Sequence, residues 1–81
     1  MTDDARLREL RLPDLGEIDE VTVVQWLKRE GEMLDAGEDL LEVETEKTTF
    51  VVEAPQAGCL KRIVRKEGER ARRDDLLAEI A

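Results

Sequence analysis

The sequence has no histidine, no tyrosine, one cysteine, one tryptophan, one phenylalanine and two prolines in 81 residues. Without histidine there is no imidazole to act as a general base or as the middle member of a nucleophilic triad. The single Cys59 cannot close an intrachain disulfide, and no Cys/His cluster is present to hold a metal. No apolar run approaches membrane-spanning length, and the first residues lack the basic-then-apolar pattern of a signal peptide. The expectation is a chain off the membrane, cytoplasmic in a bacterium or otherwise intracellular. Scarce aromatics also leave no stacking platform for bases. The formal net charge of -8, with 42% of residues charged, repels a phosphate backbone, so nucleic acid is excluded as a partner.

What is present is short alternation broken by glycine. Leu10 and Leu12 alternate with Glu9 and Arg11, a first strand stopped by Pro13. Residues 14–20 read as a loop with its turn at Gly16. Residues 21–28 form a second strand, followed by a turn at Glu30, Gly31 and Glu32. Met33 and Leu34 make a short bridge to a turn at Gly37. Leu41, Val43 and Thr45 alternate with Glu42, Glu44 and Glu46, and Phe50 and Val52 resume the pattern before Pro55. A hairpin with Glu46 and Lys47 at its tip follows from this. Residues 59–65 and 76–80 supply the last strands, and residues 1–7 read as a flexible tail ahead of one domain spanning 8–81.

A shift of thirty-seven positions carries Gly31 with its flanking glutamates onto Gly68 with its own. It also superposes Leu40 on Leu77, Val43 on Ile80, Val23 on Leu60 and Leu27 on Val64. Two copies are too few for a solenoid. They suit an all-β flattened barrel or sandwich of two small antiparallel sheets, related by a pseudo-twofold axis and each drawing strands from both halves. The expected core is Val23, Leu27, Leu41 and Val43 with Leu60, Val64 and Ile80. Trp26 and Phe50 are its two large pieces, while Val51 and Cys59 face outward.

The run Glu44-Thr45-Glu46-Lys47-Thr48-Thr49 resembles the Glu-Thr-Asp-Lys-Ala-Thr signature of lipoyl domains, the swinging-arm modules of dihydrolipoamide acyltransferases in 2-oxo acid dehydrogenase complexes. The resemblance extends from about Leu10 to the C-terminus, through Leu12-Pro13-Asp14-Leu15-Gly16-Glu17, Trp26 to Glu32, Ala54-Pro55 and Ala57-Gly58. It implies a flattened barrel, and lipoate attached covalently to Lys47 by a lipoate-attaching enzyme that reads Glu44, Glu46 and Thr48. It further implies that Asp14, Leu15, Gly16, Glu17 and Ile18 lie near Lys47 and contact a thiamine-dependent 2-oxo acid decarboxylase. An acyltransferase domain and a flavin-dependent dihydrolipoamide dehydrogenase complete the implied partners. The domain itself is then a monomeric carrier with no catalysis of its own. Three departures stand out: Glu46 replaces the usual Asp, the 14–20 loop is one residue short, and Val21 replaces a frequent Gly. Biotin carriers share the fold but place Met on both sides of their lysine, where this chain has Glu46 and Thr48. A biotin carrier and an unmodified β-module remain the alternatives.

Overall fold

The structure is a computed structural model that describes residues 7–81. The first six residues of the expected tail lie outside the described residues. Eight strands follow in order: β1 (Arg8–Arg11), β2 (Glu20–Trp26), β3 (Met33–Leu34), β4 (Asp39–Glu44), β5 (Thr49–Glu53), β6 (Gly58–Ile63), β7 (Arg70–Arg72) and β8 (Leu76–Ile80). They pair into two antiparallel four-stranded sheets, ordered β1-β8-β6-β3 and β5-β4-β2-β7. The fold is all-β. Rotating one sheet onto the other exchanges β2 with β6, β3 with β7, β4 with β8 and β1 with β5, so each half of the chain supplies strands to both sheets.

Between the sheets lies an aliphatic core that includes Val21, Val23, Leu34, Leu40, Leu41, Val43, Leu60, Leu77 and Ile80, and no described polar or charged residue is buried. Trp26 and Phe50 are only half-buried and pack against the margin of that core. The Trp26 indole still finds a partner, with Nε1 donating to the Arg65 carbonyl at 2.7 Å. The large aromatics therefore close the ends of the sandwich, and its centre is filled by Leu, Val and Ile.

Two expected core positions are displaced. Leu27 is 43% exposed and Val64 is half-buried. The cause is a β-bulge in each half. In β2 the register against β4 slips between Val23 and Gln25, and in β6 the register against β8 slips between Leu60 and Arg62. The extra residues are Val24 and Lys61, thirty-seven positions apart. A bulge inserts one unpaired residue and reverses the inside–outside phase beyond it. Trp26 and Ile63 consequently turn toward the core, whereas Leu27 and Val64 lose the inward face that simple alternation would give them.

Reciprocal bonds between the halves hold the bulges in place. Gly31 N donates to Leu60 O at 2.7 Å, and its counterpart Gly68 N donates to Val23 O at 2.8 Å. Both glycines have positive φ, 97° and 89°, which lets these turns present their N–H groups without a Cβ penalty. Glu67 accepts from Trp26 N at 3.0 Å, and Glu30 accepts from Ile63 N at 2.8 Å. Each half thus caps the backbone that the other half's bulge leaves outside the ladder.

The strand at β7 is absent from the alternation pattern, because Arg70 and Arg72 flank a single inward residue, Ala71. One small side chain between two arginines gives no legible period. Its pairing with β2, Val21 opposite Ala71, supplies the far edge of the sheet, with β2 between it and the lysine hairpin.

The bulge gives a direct energetic test. Val43 is fully buried, so Val43→Ala should cost about 1–3 kcal/mol through lost burial and the cavity left behind. Leu27→Ala should cost less than about 1 kcal/mol, as expected for a surface position. Urea melts of the two variants check the assignment; equal losses would contradict the phase reversal.

Candidate functional site

The lysine hairpin is built from β4 and β5, whose register pairs Val43 with Phe50 and Glu44 with Thr49. Thr45 N donates to Thr48 O at 2.7 Å, which closes the ladder and leaves Glu46 and Lys47 as the two-residue tip. Neither tip residue has positive φ; Asp74 is the one non-glycine with that conformation among the described residues. The primed turns favoured by hairpins are therefore not used, as the Glu-Lys pair requires. Thr45 supplies what the turn lacks. Its Oγ1 accepts from Lys47 N and Thr48 N, each at 3.1 Å, and donates to Thr48 O at 3.1 Å. One hydroxyl gathers three groups of the tip. Thr45 was not among the residues singled out from the sequence, although a threonine opening a turn carries a known propensity for such side-chain bonds.

Lys47 is exposed, and among the described residues no ion pair engages its Nζ. Lys28 differs. Its Nζ lies 2.8 Å from Glu38 Oε2, and that hydrogen bond holds its pKa above the ordinary lysine value despite an opposing effect of burial. The same contact, with a backbone N–H from Asp35, lowers the Glu38 carboxyl. An amine held as ammonium by a partner is a poor nucleophile. Lys61 lies at the β6 bulge, and Lys66 opens the turn to Gly68 with its N–H bonded to Glu69. Neither tops a hairpin.

Beside the tip runs an open cleft of ≈ 720 Å³. Glu17 and Ile18 of the 14–20 loop line one wall, Glu44, Glu46, Lys47 and Thr48 line the other, and Glu20, Thr22 and Arg70 belong to the floor and rim. The structure thus brings together the expected ligase-facing residues and two of the expected partner-facing ones. Asp14, Leu15 and Gly16 do not line the cleft. Asp14 Oδ1 accepts from Gly16 N at 2.9 Å, and Leu15 packs against the core and bridges to Ile18, so these three shape the loop from behind. Arg70 was missed for the same reason as β7.

The cleft carries four carboxylates, Glu17, Glu20, Glu44 and Glu46, against the two cations Lys47 and Arg70. An amide on Lys47 would remove one of those cations and leave the cleft more acidic. An exposed amine on a fixed tip, with open space beside it, fits a covalently attached group on a flexible arm. No helix among the described residues is long and apolar enough to cross a membrane.

Comparison with known proteins places this geometry. A family model described as "Biotin-requiring enzyme", the biotin–lipoyl family, matches residues 8–80. The dihydrolipoyllysine-residue succinyltransferase component of the 2-oxoglutarate dehydrogenase complex from Bartonella vinsonii is 42% identical over 73 residues, 89% of this chain but 18% of that protein. This chain thus spans less than a fifth of the length of that relative. The solution structure of the lipoyl domain of the 2-oxoglutarate dehydrogenase complex from Azotobacter vinelandii superposes with a TM-score of 0.74 at 30% identity, covering 90% of this chain and 94% of that one. A single-chain long-chain acyl-CoA carboxylase contains a similar region, with a TM-score of 0.77 at 27% identity over 90% of this chain and 7% of the carboxylase. The chain belongs to the biotin–lipoyl family, as a domain of the lipoyl type.

Proposed function

We propose that this domain is a swinging-arm carrier, lipoylated on Lys47, that serves a 2-oxoglutarate dehydrogenase complex as part of its succinyltransferase component. The observation that carries the reading is the Lys47 tip: an exposed amine held by Thr45 at the end of a two-residue hairpin, beside an open cleft. Relatives named as that component, and a lipoyl domain of that complex, support the choice of complex. Glu46 and Thr48 occupy the positions where biotin carriers have methionine, and this favours lipoate over biotin. When attached, lipoate supplies a dithiolane that accepts an acyl group and two electrons.

The residues of this chain do the rest by placement. Lys47 Nζ must lose a proton to the attaching enzyme before its lone pair can attack the activated carboxyl carbon of lipoate, forming the amide as the activating group leaves. A fixed amine is easier for that enzyme to serve than a wandering one. Glu44, Glu46 and Thr48 give it a surface to read around the tip, and Glu17 and Ile18 offer the decarboxylase a feature of the protein beside the arm. The acyltransferase and the flavin-dependent dehydrogenase use the same arm in turn. Tethering makes each encounter intramolecular, with an effective concentration set by the length of the arm and of any linker to its partners.

Intact-protein mass after expression with lipoate separates the lipoyl, biotinyl and unmodified forms. Lys47→Arg should abolish the mass increase and leave the melting curve unchanged, because the site is exposed and the charge is kept. The exchanged pair Glu46→Lys with Lys47→Glu should also block it, although the composition is identical. Lipoate mapped to another lysine, or efficient modification of the exchanged variant, would overturn the assignment.

Thr45→Val keeps the shape of the side chain and deletes its hydroxyl. It should cost about 1 kcal/mol of stability, in line with a lost hydrogen-bonding group that is partly solvated. Lipoylation should slow roughly three- to tenfold through looser presentation of the amine. A timed mass assay at saturating ligase reads the effect, and an unchanged rate would remove Thr45 from the presentation of Lys47. Glu17→Ala should leave lipoylation at the parent rate and slow reductive acylation by the decarboxylase. Equal slowing of both steps, or of neither, counts against a separate recognition role for the loop.

A further inference from the structure

Two departures from the pseudo-twofold symmetry touch each other. The first is the loop. Leu12-Pro13 and Ala54-Pro55 are counterparts: Leu12 N donates to Asp75 O at 2.9 Å, and Ala54 N to Glu38 O at 2.8 Å. Seven residues separate Pro13 from Val21, whereas two separate Pro55 from Gly58, the counterpart of Val21. One half therefore carries five additional residues, and these form the wall of the cleft that holds Glu17 and Ile18. The second departure is in the turns that follow β3 and β7. The shift of thirty-seven places Ala36 where the other half has Arg73. A methyl group in one turn corresponds to a long guanidinium in the other.

Arg73 is bonded to that extra loop. Its Nη2 donates to Gly16 O at 3.0 Å and to Asp19 Oδ1 at 3.0 Å. Its Nε lies 3.9 Å from Asp14 Oδ1, the atom that also accepts from Gly16 N. Its backbone N donates to Asp19 O at 3.2 Å. The contacts reach both limbs of the loop, Asp14 and Gly16 on one and Asp19 on the other. The anchor is itself fixed: Arg72 N donates to Asp75 Oδ2 at 2.8 Å, Asp74 N to Leu12 O at 3.1 Å, and Arg11 Nη1 to Asp74 O at 2.8 Å.

We infer that Arg73 is a positioning residue for partner recognition, clamping the 14–20 loop in the shape that presents Glu17 and Ile18 beside Lys47. The inference rests on the carrier reading above and adds a residue that lies outside the cleft. The Asp19 side chain is 86% exposed and that of Asp14 72%, so these ion pairs contribute little to global stability. What they control is local opening of the loop, which draws on a much smaller free energy than unfolding. Leu15 and Ile18 pack against the core, so losing the clamp loosens the loop without detaching it. A lysine in place of Arg73 keeps the charge but has no fork with which to hold two acceptors and a carboxylate together.

Three variants of the 81-residue chain test this: Arg73→Ala, Arg73→Lys and, as a control for charge, Arg72→Ala. Arg73→Ala should raise amide hydrogen exchange at Gly16, Glu17 and Ile18 on the order of tenfold and leave Leu41 and Val43 at parent rates. Its melting temperature and rate of lipoylation should stay at parent values. With a purified bacterial 2-oxoglutarate decarboxylase, its KM as lipoylated substrate should rise roughly three- to tenfold with kcat held, the mark of lost binding. Arg73→Lys should fall between parent and alanine variant, and Arg72→Ala should match the parent in exchange and KM. Parent-like loop exchange or parent-like KM in Arg73→Ala overturns the inference, as does an equal rise in KM for Arg72→Ala. If the parent chain is neither lipoylated nor acylated, the carrier reading falls by itself, and the recognition role of Arg73 falls with it.

Discussion

The fold depends on an exchange of backbone bonds between its two halves. In each, a glycine turn donates to the carbonyl at the other half's bulge, and a glutamate of that turn caps the N–H that the bulge leaves unpaired. A domain this small has little apolar surface to bury, and the burial of its core must be supplemented by complete satisfaction of backbone groups. The reciprocal arrangement does this at both ends of the core with one set of parts. It also explains why the Glu-Gly-Glu turns recur thirty-seven residues apart. Each glycine needs positive φ, and each pair of glutamates has separate work. Glu30 and Glu67 reach across to the other half, while Glu32 and Glu69 accept from Arg29 N and Lys66 N within their own turns.

Symmetry provides a frame on which departures become legible. The β4–β5 hairpin has as its counterpart the β8–β1 pair, whose strands are neighbours in the sheet but not consecutive in the chain, so no turn joins them. The lysine tip is therefore unique in a fold that repeats nearly everything else. The longer loop, the arginine in the β7–β8 turn and the acidic cleft all belong to that same side of the molecule. A rigid repeat carries one irregular corner, and the corner holds the exposed amine.

Charge follows the same division. No described polar or charged residue is buried as a whole, so the described charged side chains lie at or reach the surface. Most are solvated and contribute little individually to stability. Their consequence is in association, where four carboxylates around one lysine and one arginine set the sign of the field a partner meets at the cleft.

The strands with period-two alternation, the glycine turns, the repeat and the lysine tip were all legible in the sequence, because each rests on local chemistry or on self-similarity. Lys47 could be singled out since Val43, Thr45, Phe50 and Val52 define the hairpin around it. The all-β class follows from the same pattern. The phase reversal at Val24 and Lys61 was not legible. Gln25 and Arg62 interrupt the alternation there, but so short an interruption does not show which residue is extra; that is decided where the opposite half's turn binds the backbone. β7 was hidden because it buries one alanine between two arginines. The role of Thr45 requires the turn geometry, and that of Arg73 requires a turn and a loop more than fifty residues apart to meet. Local sequence determined which segments are strands and which amine is presented. The tertiary structure decided which side chains face inward beyond each bulge and which distant residue holds the loop, since both depend on hydrogen bonds between segments that share no neighbourhood in the chain.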